Sequence, residues 1–464
     1  MKKTTIKSIL LYAAALVGLA VPTACEDEIT PPPEVKTFTV SVQLVYPDGF
    51  APAADVRVVL RNIATGAVDE AFTDADGVAA FVVIAGIFEA TASEERADAL
   101  YRYLLNGAAG NIVVTEAWTN DPPVDITLTV TPVAKPSEGD ASPYGKLVIK
   151  ELYIGGCQKD DGSGAFQRDP YIVLYNNSTQ PAALEGVAFS TCFAHNAHGT
   201  NYFFVDNALI YAADNWLPAS YGAWYIPGRD TLAPGEQIVI AMNAAIDHTG
   251  VYSNSINFAS PDYYVAYHPE SGYSNTTYHP APSEVIPTSH YLRAIRLAGV
   301  TANAWTFSVN SPAFFIFLPR DNVSLIDFSA APENIILHSS TGSASQGAIK
   351  VPRTWVIDGI EVFQEDRIAD SKKRMTADID VGYIPFTNSY GHTLYRNVDK
   401  AATEAILGNA GKIVYDYALG WEESTDPSGI DAEASIRNGA HIIYKDSNNA
   451  SNDFHQRSRA SLRP

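Results

Sequence analysis

Three cysteines among 464 residues are too few for a disulfide scaffold. The chain also has no Cys-x-x-Cys, Gly-x-Ser-x-Gly elbow, phosphate loop or His-Glu-x-x-His, so the common redox, acyl-transfer, nucleotide and zinc-protease signatures are absent. Without such a signature the chain reads as non-enzymatic, and no cofactor motif is visible. Basic residues are scarce, with 31 Lys and Arg against 52 Asp and Glu, a net charge of -21. That surface repels phosphate backbones and argues against nucleic acid as a partner. No apolar run reaches the roughly 20 residues a membrane-spanning helix needs.

What is present begins at the N-terminus. Lys2, Lys3 and Lys7 precede an apolar stretch from Ile9 to Val21, and Thr23-Ala24 then leads into Cys25. This is the layout of a signal peptide over residues 1–24, cut before Cys25, with lipid on Cys25 as the membrane anchor. Removal of 1–24 takes away three lysines and no acid, which moves the net charge from -21 to -24. Residues 25–36 form an acidic, Pro-rich tether, in which Thr30-Pro31-Pro32-Pro33-Glu34 favours a stiff, extended spacer.

The length suits two or three domains. Short runs rich in Val, Ile and Tyr, punctuated by Gly, Pro, Asn and Asp, predict a mostly β protein. Thr37 to Val45 alternates with period two, as a half-buried strand should, and opens an all-β sandwich over residues 37–133. Thr73-Asp74-Ala75-Asp76-Gly77 has turn chemistry, Glu94 to Leu105 reads as a short helix, and Ile126 to Val130 closes the domain. Residues 134–144 have linker composition. A larger β-sandwich with long insertions then occupies 145–464.

Several stretches carry family resemblances. Glu26-Asp27-Glu28 after the cysteine resembles the export signal of Bacteroidota surface lipoproteins, which implies the outer leaflet of the outer membrane, facing the cell exterior. The run from Thr73 to Phe81 and on through Gly86 to Ala92 resembles the carboxypeptidase-regulatory-like, prealbumin-like (Ig-like) sandwich. Tyr171-Ile172-Val173-Leu174-Tyr175-Asn176, Leu184 to Ser190 and Leu232-Ala233-Pro234-Gly235 resemble the lamin-tail sandwich, although Val173 stands where that family usually has Glu. Pro312 to Phe317, Trp355 to Glu361, Gly391 to Arg396 and Asp446 to Phe454 follow in order. Together these resemble an uncharacterised Bacteroidota surface-lipoprotein family, a domain of unknown function.

Candidate sites are few. Cys157 and Cys192 are the pair left for a disulfide once Cys25 takes lipid. Cys192-Phe193-Ala194-His195-Asn196-Ala197-His198 brings imidazoles to short spacing, and His195 and His198 are the candidate metal ligands. Asp160-Asp161 and Asp446 to Asp453 are oxygen-rich and suit a divalent cation, with Asx-type turns as the alternative. Tyr263, Tyr264, Tyr267, Tyr273 and Tyr278 form an aromatic segment that either offers a binding surface or packs back onto the sandwich. The expected role is a lipid-anchored binding or accessory module serving an outer-membrane transporter, a TonB-dependent one by analogy, or an extracellular ligand. Two other classes stay open: a metal-dependent or carboxylate hydrolase on the C-terminal domain, and a structural surface or fimbria-associated component.

Overall fold

The computed structural model describes residues 35–97, 101–134, 146–205, 208–337 and 347–463. The signal peptide, Cys25, Glu26, Asp27, Glu28 and nearly all of the tether and linker lie outside the described residues. The protein is mostly β throughout.

The N-terminal region is built from β1 (Thr37–Val45), β2 (Arg57–Asn62), β3 (Val68–Phe72), β4 (Val78–Ile84), β5 (Gly86–Ala97), β6 (Tyr101–Val114), β7 (Val124–Thr127) and β8 (Thr129–Ala134). A three-stranded sheet, β4-β1-β7, faces a five-stranded sheet, β3-β2-β5-β6-β8. The inward residues of β1, Phe38, Val40, Val42 and Leu44, meet Val58, Leu60, Ala90 and Leu105 in one core. The alternation in the sequence is this two-faced burial.

Two details differ from expectation. Glu94 to Leu105 is no helix: β5 and β6 run as a long antiparallel hairpin in which Glu94 faces Leu105 and Ser93 faces Asn106. Pairing with β2 and β8 on either side overrides the local helical preference of the Glu-Glu-Arg-Ala stretch. The closing segment is also two strands: Val124–Thr127 pairs in parallel with β1, and Thr129–Ala134 crosses to pair with β6. The Asp74 carboxylate accepts the N–H groups of Asp76 and Val78, so the Asp-Gly motif is a turn.

In the larger region two six-stranded sheets stack. One runs Tyr264–Val265, Gln237–Ala241, Tyr171–Asn176, Leu147–Tyr153, Thr393–Arg396, Phe454–Arg457; the other runs Arg293–Arg296, Gly222–Tyr225, Ala188–Thr191, Ala313–Phe317, Val356–Gln364, Ile384–Phe386. Leu147, Ile149, Ile172 and Ile240 of the first meet Phe189, Phe314, Ile316 and Ile360 of the second. The outer faces are covered as well. Residues around Ile256, Phe258 and Ile286 pack on Tyr171, Val173 and Val239; Ile430, Ile442 and Tyr444 pack on Val148, Tyr175 and Tyr395. Trp216, Leu217, Ile349 and Val351, from a three-stranded sheet, cover Phe315 and Phe317. Leu147–Tyr153, Tyr171–Asn176 and Ala313–Phe317 are therefore buried at every residue; Ala313–Phe317 is apolar throughout, whereas Leu147–Tyr153 also buries Lys150 and Glu151.

Candidate functional site

The outer face of the five-stranded sheet is not left to solvent. Arg57 and Val59 on β2, Thr91 and Ser93 on β5, and Asn106 on β6 look across at residues 445–452 of the larger region, leaving a cavity of about 290 Å³. Antiparallel pairing sets the first wall: Val59 stands opposite Thr91, and Ser93 opposite Asn106.

The second wall is a short loop held from within. Asp453 accepts hydrogen bonds from the Ser447 N–H at 2.8 Å and the Ser447 hydroxyl at 2.7 Å. Asn449 caps the helical turn Ala450–Asp453 by accepting the Ser451 N–H at 3.1 Å. Asp380 accepts the Ala450 N–H at 2.8 Å. Beneath the loop, buried Arg396 donates to the Lys445 carbonyl at 2.8 Å and the Ile149 carbonyl at 2.7 Å, and pairs with Asp358. Asp446 and Asp453 lie 3.6 and 3.9 Å from the same guanidinium, and Lys146 closes on Asp446 at 2.6 Å. Three carboxyl groups gathered around one planar cation, with backbone and Ser447 donors on Asp358 and Asp453, brace the loop from beneath. The oxygen-rich run Asp446 to Asp453 thus turns its carboxylates inward rather than toward a cation.

Polar contacts cross between the walls. Arg57 donates to Asn452 Oδ1 at 2.7 Å, Asn106 to the Ser447 carbonyl at 3.0 Å, and Asn449 to Ser93 Oγ at 2.7 Å. Beside the cleft, Tyr383 donates its hydroxyl to Glu89, while Arg61 lies 5.2 Å from the Tyr383 ring centroid. Burial pushes the Glu89 carboxyl up, against the Tyr383 hydrogen bond and the nearby Arg61 and Lys373 charges. Arg57 also grips Glu70, which holds that carboxyl below its usual range. Among the described residues the Lys445 ammonium has no hydrogen bond or ion pair, although its charge acts on Asp426. The cleft therefore presents amides, hydroxyls and charges of both signs to solvent.

The residues singled out from sequence lie elsewhere. Cys157 and Cys192 are free thiols, both buried, so the expected disulfide is not formed. Cys192 follows the strand Ala188–Thr191 of the second sheet and packs among Phe193, Phe203 and Ala219; Cys157 lies beyond the first sheet, hydrogen-bonded to the Ser255 side chain. Burial pushes the Cys157 thiol up to about 12 and Cys192 higher still, so neither is a ready thiolate.

The metal reading of His195 and His198 also fails on geometry. His195 stacks on Tyr221 with ring centroids 5.2 Å apart and Nε2 3.2 Å from the Tyr221 hydroxyl. Burial, with Arg374 nearby, holds its pKa down. Among the described residues no group of three or more His, Cys, Asp or Glu side chains is arranged to hold a metal.

The tyrosine segment packs inward. Tyr264 is buried, donates to Asp230 Oδ2 at 2.6 Å and stacks on His290 at 4.1 Å. Tyr273 is buried against Trp224 and donates to the Tyr221 carbonyl at 3.1 Å. Tyr263, Tyr267 and Tyr278 are half-buried: the first two flank the Ile256–Phe258 core, and Arg168 lies 5.1 Å from the Tyr278 ring centroid. Tyr264 and Tyr273 thus fold onto the sheet, which buries their apolar faces, and Tyr263, Tyr267 and Tyr278 keep part of theirs exposed.

Residues 233–416 match the model of DUF4876, a protein family of unknown function. The resemblance to a domain of unknown function is thereby supported over that segment, which includes Asp380 and Tyr383 but neither wall of the cleft. A crystal structure of a DUF4876 family protein from Bacteroides thetaiotaomicron VPI-5482 matches at 19% identity and a TM-score of 0.47, covering 90% of this chain and 94% of that one. No curated protein matches.

Proposed function

We propose that this chain is a non-catalytic binding or accessory module, held by lipid on Cys25 at the outer leaflet of an outer membrane. In this reading residues 25–36 tether a carboxypeptidase-regulatory-like sandwich (37–133), which a linker (134–144) joins to a lamin-tail-like domain (145–464) of a Bacteroidota surface lipoprotein. The observation that carries the binding role is the polar cleft of about 290 Å³ between the outer face of the β2, β5 and β6 strands and the 445–452 loop. Its walls are rigid and its polar groups converge from two distant stretches of chain, as ligand sites do. An outer-membrane transporter is the natural partner for a module that presents a captured ligand at the surface.

The test is co-purification of the tagged, lipidated protein from detergent-solubilised outer membranes, with partners identified by mass spectrometry. A stoichiometric barrel or transporter supports the accessory role. Recovery of the Cys25→Ser protein still in the membrane fraction would refute lipid on Cys25 as the anchor.

A further inference from the structure

We propose that the end of the N-terminal sandwich around Ala85 and Gly86 seats on the phospholipid surface that holds the Cys25 anchor. The inference rests on the reading of Cys25 as the lipid anchor and adds a second contact with the same membrane. Four short stretches of chain meet at this end. Thr37, where β1 begins, pairs with Ile84 at the end of β4, and Ile87 on β5 pairs with Val113 on β6. Ile63, in the turn between β2 and β3, donates its N–H to the Ile87 carbonyl at 2.8 Å. Val82 and Ile84 point outward from the three-stranded sheet, and Ile87 and Val113 from the five-stranded one, so apolar side chains flank the corner on both sides. They are 67%, 52%, 46% and 51% exposed.

Charge singles out the same end. Residues 37–45, 62–68, 79–88 and 107–115 contain no Asp, Glu, Lys or Arg, in a chain with a net charge of -21. Anionic headgroups repel an acidic surface, so an uncharged end is the part that approaches them. Exposed Thr37, Thr39, Thr65 and Thr115 bring hydroxyls that bond headgroup oxygens, while the four apolar side chains enter the boundary between headgroups and acyl chains. Charged residues return at the rim, with Asp69, Glu89 and Glu116. Position agrees with chemistry. The chain enters the sandwich at Thr37, twelve residues after Cys25, a stretch that reaches at most about 40 Å when fully extended. Tyr383 of the larger region bonds Glu89 and leaves Ile87 and Val113 exposed. Ser93 of the cleft lies six residues beyond Ile87 on β5, so seating this end holds the cleft about 20 Å off the lipid.

The experiment places the mature, lipidated protein in vesicles of phosphatidylethanolamine and phosphatidylglycerol. A polarity-sensitive fluorophore is attached at Ile87→Cys or, in a separate sample, at Leu407→Cys, which is 95% exposed on the larger region. Cys157 and Cys192 are buried and Cys25 carries the lipid, so the label goes to the introduced thiol. At Ile87→Cys the emission is expected to shift to the blue, relative to the soluble Cys25→Ser protein, and to be quenched by nitroxide-bearing lipid. The label at Leu407→Cys is expected to do neither. Adding Val82→Asp and Ile84→Asp, both at exposed positions, should abolish the two signals at Ile87→Cys, and an unchanged unfolding midpoint confirms that this variant folds. Protein retained on the vesicles with no shift at Ile87→Cys overturns the inference and leaves the anchor reading standing. A blue shift already present in the soluble protein that fades on dilution also overturns it, because a second copy then covers this end. Loss of the protein from the vesicles refutes the anchor, and the inference with it.

Discussion

Replacing Lys150 by Met should destabilise the larger region far more than the loss of one surface lysine would. Lys150 is 1% exposed, on the strand Leu147–Tyr153. Its ammonium lies 2.8 Å from Glu433 Oε1 and 2.6 Å from Gln237 Oε1, and 5.9, 5.6 and 5.9 Å from the ring centroids of Tyr175, Tyr395 and Tyr444. Burial by itself would raise the Glu433 carboxyl, yet the Lys150 charge and hydrogen bond, with Tyr395 and Arg457, hold it down at about 2. From an ordinary 4.5 that depression is worth about 3 kcal/mol, at 1.36 kcal/mol per pKa unit. Lys150→Met leaves the half-buried Glu433 without its nearest cation, so the expected loss is about 3 kcal/mol. Urea unfolding at pH 7, followed by tyrosine fluorescence, measures it. The double variant Lys150→Met/Glu433→Gln should recover most of the loss, because the unpaired charge goes with the carboxylate. The pH dependence follows from a depressed carboxyl: the stabilisation is complete above pH 4.5 and disappears as pH falls toward 2. A single variant within 0.5 kcal/mol of the parent, or a double variant no better than the single one, would refute the reasoning.

Other outcomes follow from buried groups and backbone. Burial pushes His279 down to about 4 and His455 to about 3; both are neutral when folded, so stability is lost as pH drops below 6.5, by about 2 kcal/mol each at pH 5. The urea midpoint at pH 5 and pH 7 reads this, and His455→Gln should flatten the pH dependence by that amount. Native protein should show no reaction of Cys157 or Cys192 with a thiol reagent, and denatured protein should show both of them free without reduction; a mass two hydrogen atoms short would mean a disulfide. Gly222 has φ of 135°, and an added Cβ would sit 1.8 Å from the Ile295 carbonyl oxygen. Gly222→Ala therefore forces Arg293–Arg296 off its neighbour and should cost at least about 3 kcal/mol in chemical unfolding. Asn449→Ala removes both a helix cap and the bond to Ser93; a loss of about 2 kcal/mol is expected, with faster proteolysis between the two β regions.

Much of the β architecture was legible because burial leaves a pattern. The alternation of Thr37 to Val45 maps onto its alternate inward residues, and the apolar run Ala313 to Phe317 onto a strand covered on both sides. The Glu94 to Leu105 hairpin was not legible, since its residues favour a helix locally and only pairing with β2 and β8 makes them extended. The cleft was half legible. Asp446 to Asp453 stood out for its Asn and Asp content and was readable as a turn, but nothing local says that it faces Ser93 and Asn106, more than 300 residues earlier.

Local chemistry by itself determined the acidic character, the mostly β class and the turns at Asp74 and Asp446 to Asp453, because charge, side-chain period and Asx hydrogen bonding act over a few residues. Tertiary structure alone decided the rest. It placed Cys157 and Cys192 apart in separate surroundings, folded Tyr264 and Tyr273 onto the sheet, and drew Arg57, Asn106, Lys445 and Asn452 around one cleft. These outcomes depend on which face of one sheet is covered by which distant segment. That is settled by the apolar area buried across the whole chain, and no short stretch of sequence encodes it.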